Sequence, residues 1–175
     1  MNNLELKLIS ELMKNPRRGN RELAKAVGTS QPAIVRLMKR LEKEGYVSEY
    51  TMIPNFHQLG YEILALTFFA FKKELEPEEI EKARETTREH LKNGNSEILM
   101  FERGMGLGYG AVVVSLHEDY ASYIEFRKRA RQFQFLDHSS AESFLVTMKD
   151  KVHYRPLTFA TLAGHVLTLK KNNRD

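Results

Sequence analysis

NRELAKAVGTSQPAIVRLMKRLEKEG, residues 20–45, decides the fold. Leu23, Ala24 and Val27 fall on one side of a short helix over residues 20–27, with Gly19 or Asn20 as its N-cap. Gly28 ends that helix, as a glycine just past a helix end is free to take positive φ. Thr29-Ser30-Gln31-Pro32 opens a second helix. Ser30 supplies the N-cap, and Pro32 sits in the first turn, where its missing N–H costs nothing. Ile34, Met38 and Leu41 recur at helical spacing and, joined by Leu37, predict a core-facing side. Arg36, Lys39, Arg40 and Lys43 occupy the other side. Two short helices joined by a tight glycine turn, the second basic on its free face, match a helix-turn-helix; the competing reading is a generic three-helix packing unit.

Upstream, Leu4, Leu8, Ile9 and Leu12 predict a helix over residues 3–14, ended by Asn15-Pro16 because proline lacks a donor and restricts the residue before it. Downstream, Gly45 closes the basic helix, and the aromatic and β-branched run Tyr46–Ile53 predicts a strand that makes the motif winged. Pro54–Gly60 reads as a loop. The pattern then predicts a strand at Glu62–Lys72, a helix at Pro77–Lys92 ended by Asn93-Gly94-Asn95, strands at Glu97–Glu102 and Gly110–Leu116, a helix at Asp119–Arg131 and a strand at Ser143–Met148. That β-α-β-β-α-β order is ferredoxin-like. Pro156–Lys170 carries Phe159, Leu162, Val166 and Leu169 on one helical stripe, too apolar to leave exposed and expected to pack on its own domain or a second subunit. The expected fold class is α+β. A winged helix-turn-helix (residues 1–54) and a linker (55–61) precede a ferredoxin-like βαββαβ domain (62–150) and a C-terminal helical extension (151–175).

Composition narrows the function. The 175 residues are 42% hydrophobic and 29% charged, which argues against long disorder. No apolar run approaches the roughly 18 residues of a membrane span. MNNLELKLISELMKN carries charges throughout and does not read as a signal peptide, so a cytoplasmic protein with no membrane partner is expected. Cysteine is absent, which excludes disulfides and thiolate chemistry. The six histidines show no pair at metal-ligand spacing, and no nucleophile elbow, P-loop or paired-carboxylate arrangement is visible. No enzyme, cofactor or metal is expected. Residues 1–50 hold ten Lys/Arg against six Asp/Glu, whereas residues 51–175 hold seventeen of each. The whole formal charge of +4 therefore sits in the first 50 residues, and a basic surplus confined to one segment points to a polyanion.

The run from Leu6 to Tyr61 resembles the N-terminal half of Lrp/AsnC (feast/famine) transcriptional regulators. The marks are Asn20-x-x-Leu23-Ala24, the Gly28-x-Ser30 turn, Arg36-x-x-Lys39-Arg40-Leu41-Glu42, Gly45-Tyr46-Val47 and Pro54 followed by Leu59-Gly60. The remainder is similar to that family's ferredoxin-like domain in element order. Gly108-Tyr109-Gly110 and the strand after it stand where the family has a glycine-containing turn. Val35 and Leu37 depart from the family pattern, which favours a small polar and a basic residue there. The resemblance implies a sequence-specific DNA-binding regulator acting as a homodimer or higher homo-oligomer, with room for a small-molecule effector such as an amino acid. The alternative, kept open by Val35 and Leu37, is a small-molecule sensor whose DNA-binding domain is weak.

For double-stranded DNA the candidates are Gln31, Ala33, Val35 and Arg36, at the end of the basic helix that enters the major groove in this motif. Gln31 suits adenine and Arg36 guanine, while Val35 offers only an apolar contact. Lys39, Arg40, Lys43, Arg17, Arg18 and Arg21 are placed for phosphates. Gly104-Met105-Gly106-Leu107-Gly108-Tyr109-Gly110 reads either as an anion cradle or as a hairpin turn, the strand after it excluding a dinucleotide fingerprint. The family's effectors bind near this turn, so Gly104, Gly106, Gly108, Tyr109 and Gly110 are the effector candidates.

Overall fold

The computed structural model describes residues 1–72, 76–93, 96–150 and 157–168. Its elements are α1 (Asn3–Lys14), α2 (Asn20–Val27), α3 (Gln31–Lys43), a 3-10 turn at His57–Leu59, β1 (Ile63–Phe71), α4 (Pro77–Asn93), β2 (Ile98–Gly106), β3 (Tyr109–His117), α5 (Tyr120–Ala130), β4 (Leu136–Thr147) and α6 (Leu162–Val166). The described residues divide into two compact units, 1–53 with 157–168, and 54–150.

In the first unit, Leu8 and Leu12 of α1, Leu23, Ala24 and Val27 of α2, and Ile34 and Leu41 of α3 form one core, with Leu37 and Met38 packed against it. The helix ends follow from local chemistry. The Asn2 side chain accepts the Glu5 N–H at 3.0 Å while the Glu5 carboxylate accepts the Asn2 N–H, a reciprocal capping box. Ser30 accepts the Ala33 N–H to start α3. Gly28 closes α2 at φ 82°, ψ 42°, so that its own N–H and that of Thr29 both reach the Ala24 carbonyl, at 3.0 and 2.9 Å. A Cβ at Gly28 meets no atom within 4 Å, so an alanine there is penalised by backbone conformation alone. Gly28→Ala is therefore expected to cost about 1 kcal/mol, read as a fall in Tm by thermal melting; an unchanged Tm contradicts the left-handed turn.

The strand expected over Tyr46–Ile53 does not form. A strand is defined by its ladder, and no described segment of this unit pairs with that run. Instead the Tyr46 and Val47 N–H groups bond the Leu41 carbonyl, and the Tyr50 hydroxyl donates to Glu42 Oε1 at 3.0 Å. Desolvation, then that bond and the Glu42 charge, push the Tyr50 phenol up to about 12. The wing is thus a loop strapped to α3. Of the helix expected over Pro156–Lys170, the described residues 157–168 contain the five residues of α6, which packs on α1 and buries Ala163. Phe159 and Leu162 are about half exposed in the single chain, which leaves the expected second subunit as a cover for them. Pro156, Leu169 and the rest of 151–156 and 169–175 lie outside the described residues, as do Gly94 and Asn95 of the expected α4 terminator.

The second unit is a four-stranded antiparallel sheet in the order β2-β3-β1-β4. Alternation sends Ala65, Thr67 and Phe69 of β1 and Ala111, Val113 and Ser115 of β3 to one face, where Tyr123, Phe126 and Ala130 of α5 cover them. Thr87 and Leu91 of α4 line the same apolar layer. Asp119 caps α5 by accepting the Ser122 N–H at 2.7 Å, and that bond holds its carboxyl below the usual carboxylate range. His117 is buried against Tyr123 and Phe126 and shares a 2.8 Å hydrogen bond with Ser115 Oγ. Strand β4 starts seven residues before the expected Ser143. Leu136 and Asp137 pair with Phe71 and Ala70 past a bulge, in a stretch to which the sequence pattern assigns no element.

The other face of the sheet carries no described helix. Met100, Val114, Leu66 and Phe144 stand side by side across all four strands, flanked by Val112, Phe68, Leu64 and Val146. Phe144 is 66% exposed and Met100 42%.

Candidate nucleic-acid interface

Helix α3 is positioned by its apolar side. Ile34 and Leu41 are fully buried, and this fixes which residues point outward. Gln31, Val35, Lys39 and Lys43 then form one row at i, i+4, i+8 and i+12, with Arg36 beside it. Gln31, Arg36, Lys39 and Lys43 are exposed, whereas Ala33 and Val35 are partly buried. Arg17 and Arg21 are exposed at the turn into α2 and near its start. Among the described residues, Arg17, Arg21, Arg36, Lys39 and Lys43 form no ion pair, so their charge is free to face a polyanion. An exposed row with an amide and a guanidinium near its N-terminal end and unpaired cations along it suits a major groove between phosphate strands.

Two basic residues of the candidate set are engaged elsewhere. Arg40 pairs with Glu5 of α1, whose side chain is 5% exposed, and it lies 3.9 Å from Glu44. Arg18 pairs with Glu11, which also holds Lys14 at 2.5 Å. The Lys14 hydrogen bond, outweighing desolvation and aided by the Arg18 charge, lowers the Glu11 carboxyl. Periodicity puts Arg40 on the free face of α3, but the tertiary contact turns it into a tie between helices. Glu5 and Glu11, the acidic partners, are absent from any reading of the basic helix alone; only the packing of α1 against α2 and α3 reveals them.

The glycine-rich segment is a tight β-hairpin. Gly104 and Gly106 belong to β2, Tyr109 and Gly110 to β3, and Leu107-Gly108 make the turn at φ 54° and 84°. Two successive positive φ values are those of the two-residue turns that match strand twist. Met105 and Leu107 at the tip are almost fully exposed. Tyr109 instead turns back: its ring lies 5.8 Å from that of Phe68, and desolvation with the hydrogen bond and charge of Glu142 raises its phenol. At Gly110 a Cβ would stand 2.5 Å from the Phe71 ring, so this glycine is required by close packing.

Residues 1–48 match a family model described as winged helix-turn-helix DNA-binding. An uncharacterized HTH-type transcriptional regulator of Pyrococcus furiosus is 38% identical over 61 residues, covering 35% of this chain and 41% of that protein. The leucine-responsive regulatory protein of Escherichia coli is 27% identical over 109 residues, covering 59% of this chain and 66% of that protein. The chain thus spans about two fifths of the first relative's length and just under two thirds of the second's. A Neisseria meningitidis transcriptional regulator solved as an L-Met complex superposes with a TM-score of 0.72 at 19% identity, over 90% of this chain and 94% of that one, a likeness of fold.

Proposed function

We propose that this chain, a winged helix-turn-helix protein of the Lrp/AsnC type, is a DNA-binding transcriptional regulator that reads double-stranded DNA with α3. The observation that carries the reading is the exposed α3 row with its unpaired cations on a helix-turn-helix whose core fixes their direction. In this reading Gln31, Ala33, Val35 and Arg36 meet base edges, and Lys39, Lys43, Arg17 and Arg21 meet phosphates. Arg18 and Arg40 act chiefly through their carboxylate partners. The protein works as a homodimer through the open apolar sheet face, which supports burial against a second copy. Two α3 helices then reach half-sites about 34–36 Å apart.

The β2–β3 hairpin, with Gly104, Gly106, Gly108, Tyr109 and Gly110, is the proposed effector site. The support is its exposed tip and the L-Met bound by the Neisseria meningitidis regulator of the same fold. No described helix is long and apolar enough to cross a membrane. In this reading the chain works on DNA in the cytoplasm and is not an enzyme.

Gel-shift titrations on selected and random DNA at several salt concentrations test this. Arg36→Ala is expected to cost about 1–3 kcal/mol on the selected site, whereas Lys39→Ala weakens both DNAs alike and reduces the salt slope by about one. Equal losses on both DNAs contradict the base-reading role of Arg36. A selected-to-random affinity ratio near one contradicts the regulator reading and favours a ligand sensor.

A further inference from the structure

A cavity of about 540 Å³ opens between α4 and the sheet, inside the second unit. That volume lies within the roughly 300–1,000 Å³ typical of small-molecule sites. Its body is apolar: Phe71, Phe101 and Phe135 from the sheet side face Ile80, Ala83 and Leu91 of α4. None of the described residues of the hairpin at 104–110 lines it, so it is separate from the proposed effector turn.

The polar groups at this cavity are mostly of one sign. Lys72, Arg84, Arg88 and Arg103 line it, against the single carboxylate of Glu102 among the described lining residues. Arg84 is held by Glu81 at 2.7 Å. Lys72, Arg88 and Arg103 form no ion pair among the described residues, and the Arg103 guanidinium lies over the Phe71 ring, 5.2 Å from its centroid. The Phe71 ring is itself seated where a side chain at Gly110 would stand, so the close approach to Gly110 places the ring on which Arg103 rests. Unpaired guanidinium groups beside an aromatic-lined hollow match a planar anion attached to hydrocarbon, since guanidinium donors pair with a carboxylate in bidentate fashion. A bare anion leaves the apolar lining unfilled, and an amine meets three unpaired cations.

We propose that this cavity binds an apolar organic acid, a carboxylate joined to an aromatic or branched hydrocarbon body, one per chain. The carboxylate lies at Arg88 and Arg103, and the hydrocarbon fills the space between the three phenylalanines and Ala83.

Isothermal titration of the full chain with 3-phenylpropanoate, 3-phenylpropylamine and inorganic phosphate tests this. The acid is expected to bind one per chain while the amine and phosphate give no heat. Arg88→Gln, at an exposed position, keeps the fold and weakens the acid roughly tenfold, the loss of one charge-assisted pair. Ala83→Trp fills the hollow and abolishes binding, with circular dichroism confirming the fold. The proposal is overturned if the acid gives no heat, if both variants bind it as the parent does, or if the amine or phosphate binds as tightly as the acid.

Discussion

Leu66→Asp is expected to convert the protein to a monomer and to weaken its hold on a two-half-site DNA by at least 100-fold. Leu66 sits at the middle of the row Met100, Val114, Leu66 and Phe144, on the sheet face that no described helix covers. A carboxylate placed there must shed its water when a second apolar face closes on it, a penalty of several kcal/mol with no partner to offset it. The chain itself should fold, because the opposite face, with Ala65, Thr67 and Phe69, holds the unit's core. The DNA effect follows from linkage: joining two half-site readers raises apparent affinity by about 10²–10⁴ without a new contact. Light scattering and gel shifts on one and two half-sites read both effects. A Leu66→Asp protein that stays dimeric places the interface elsewhere.

Arg40→Ala is expected to lower unfolding stability by about 3 kcal/mol, because it strips a buried carboxylate of its cation. Glu5 keeps the Asn2 N–H on one oxygen, but the other loses its only described partner. Arg40 is itself partly exposed, so the cost lies in the stranded Glu5 rather than in lost packing. Glu5→Gln on top of Arg40→Ala should recover part of the loss, since a neutral amide is cheaper to bury than an unpaired charge. Urea unfolding of the two variants measures this. The salt slope on DNA should stay nearly unchanged in Arg40→Ala, unlike Lys39→Ala. A full unit of slope lost with stability intact makes Arg40 a phosphate contact instead.

The helix-turn-helix is legible because its signals are local. Asn15-Pro16, Gly28 and Ser30 each act on backbone groups within a few residues, and the Ile34/Leu41 spacing sets the buried side of α3. The sheet is legible from element order and apolar strand runs, with β1 the clearest case. What the sequence hides depends on distant partners. Tyr46–Ile53 has the composition of a strand, yet composition describes a side chain's fit to a pleated surface and supplies no neighbour to pair with. The start of β4, Leu136 and Asp137, becomes strand by pairing with Phe71 and Ala70. The basic face of α3 is likewise readable as a face, but not the pairing of Arg40 with a glutamate 35 positions earlier in the chain. Pairings across the tertiary fold leave no periodic trace.

Methylation interference on a DNA fragment enriched by binding to the full protein tests the central claim most directly. Reading by α3 predicts that guanine N7 methylation interferes in two major-groove segments about 10 base pairs apart, and that Arg36→Ala erases specific positions within each. Interference spread evenly along the fragment, or a pattern unchanged in Arg36→Ala, contradicts base reading by this helix.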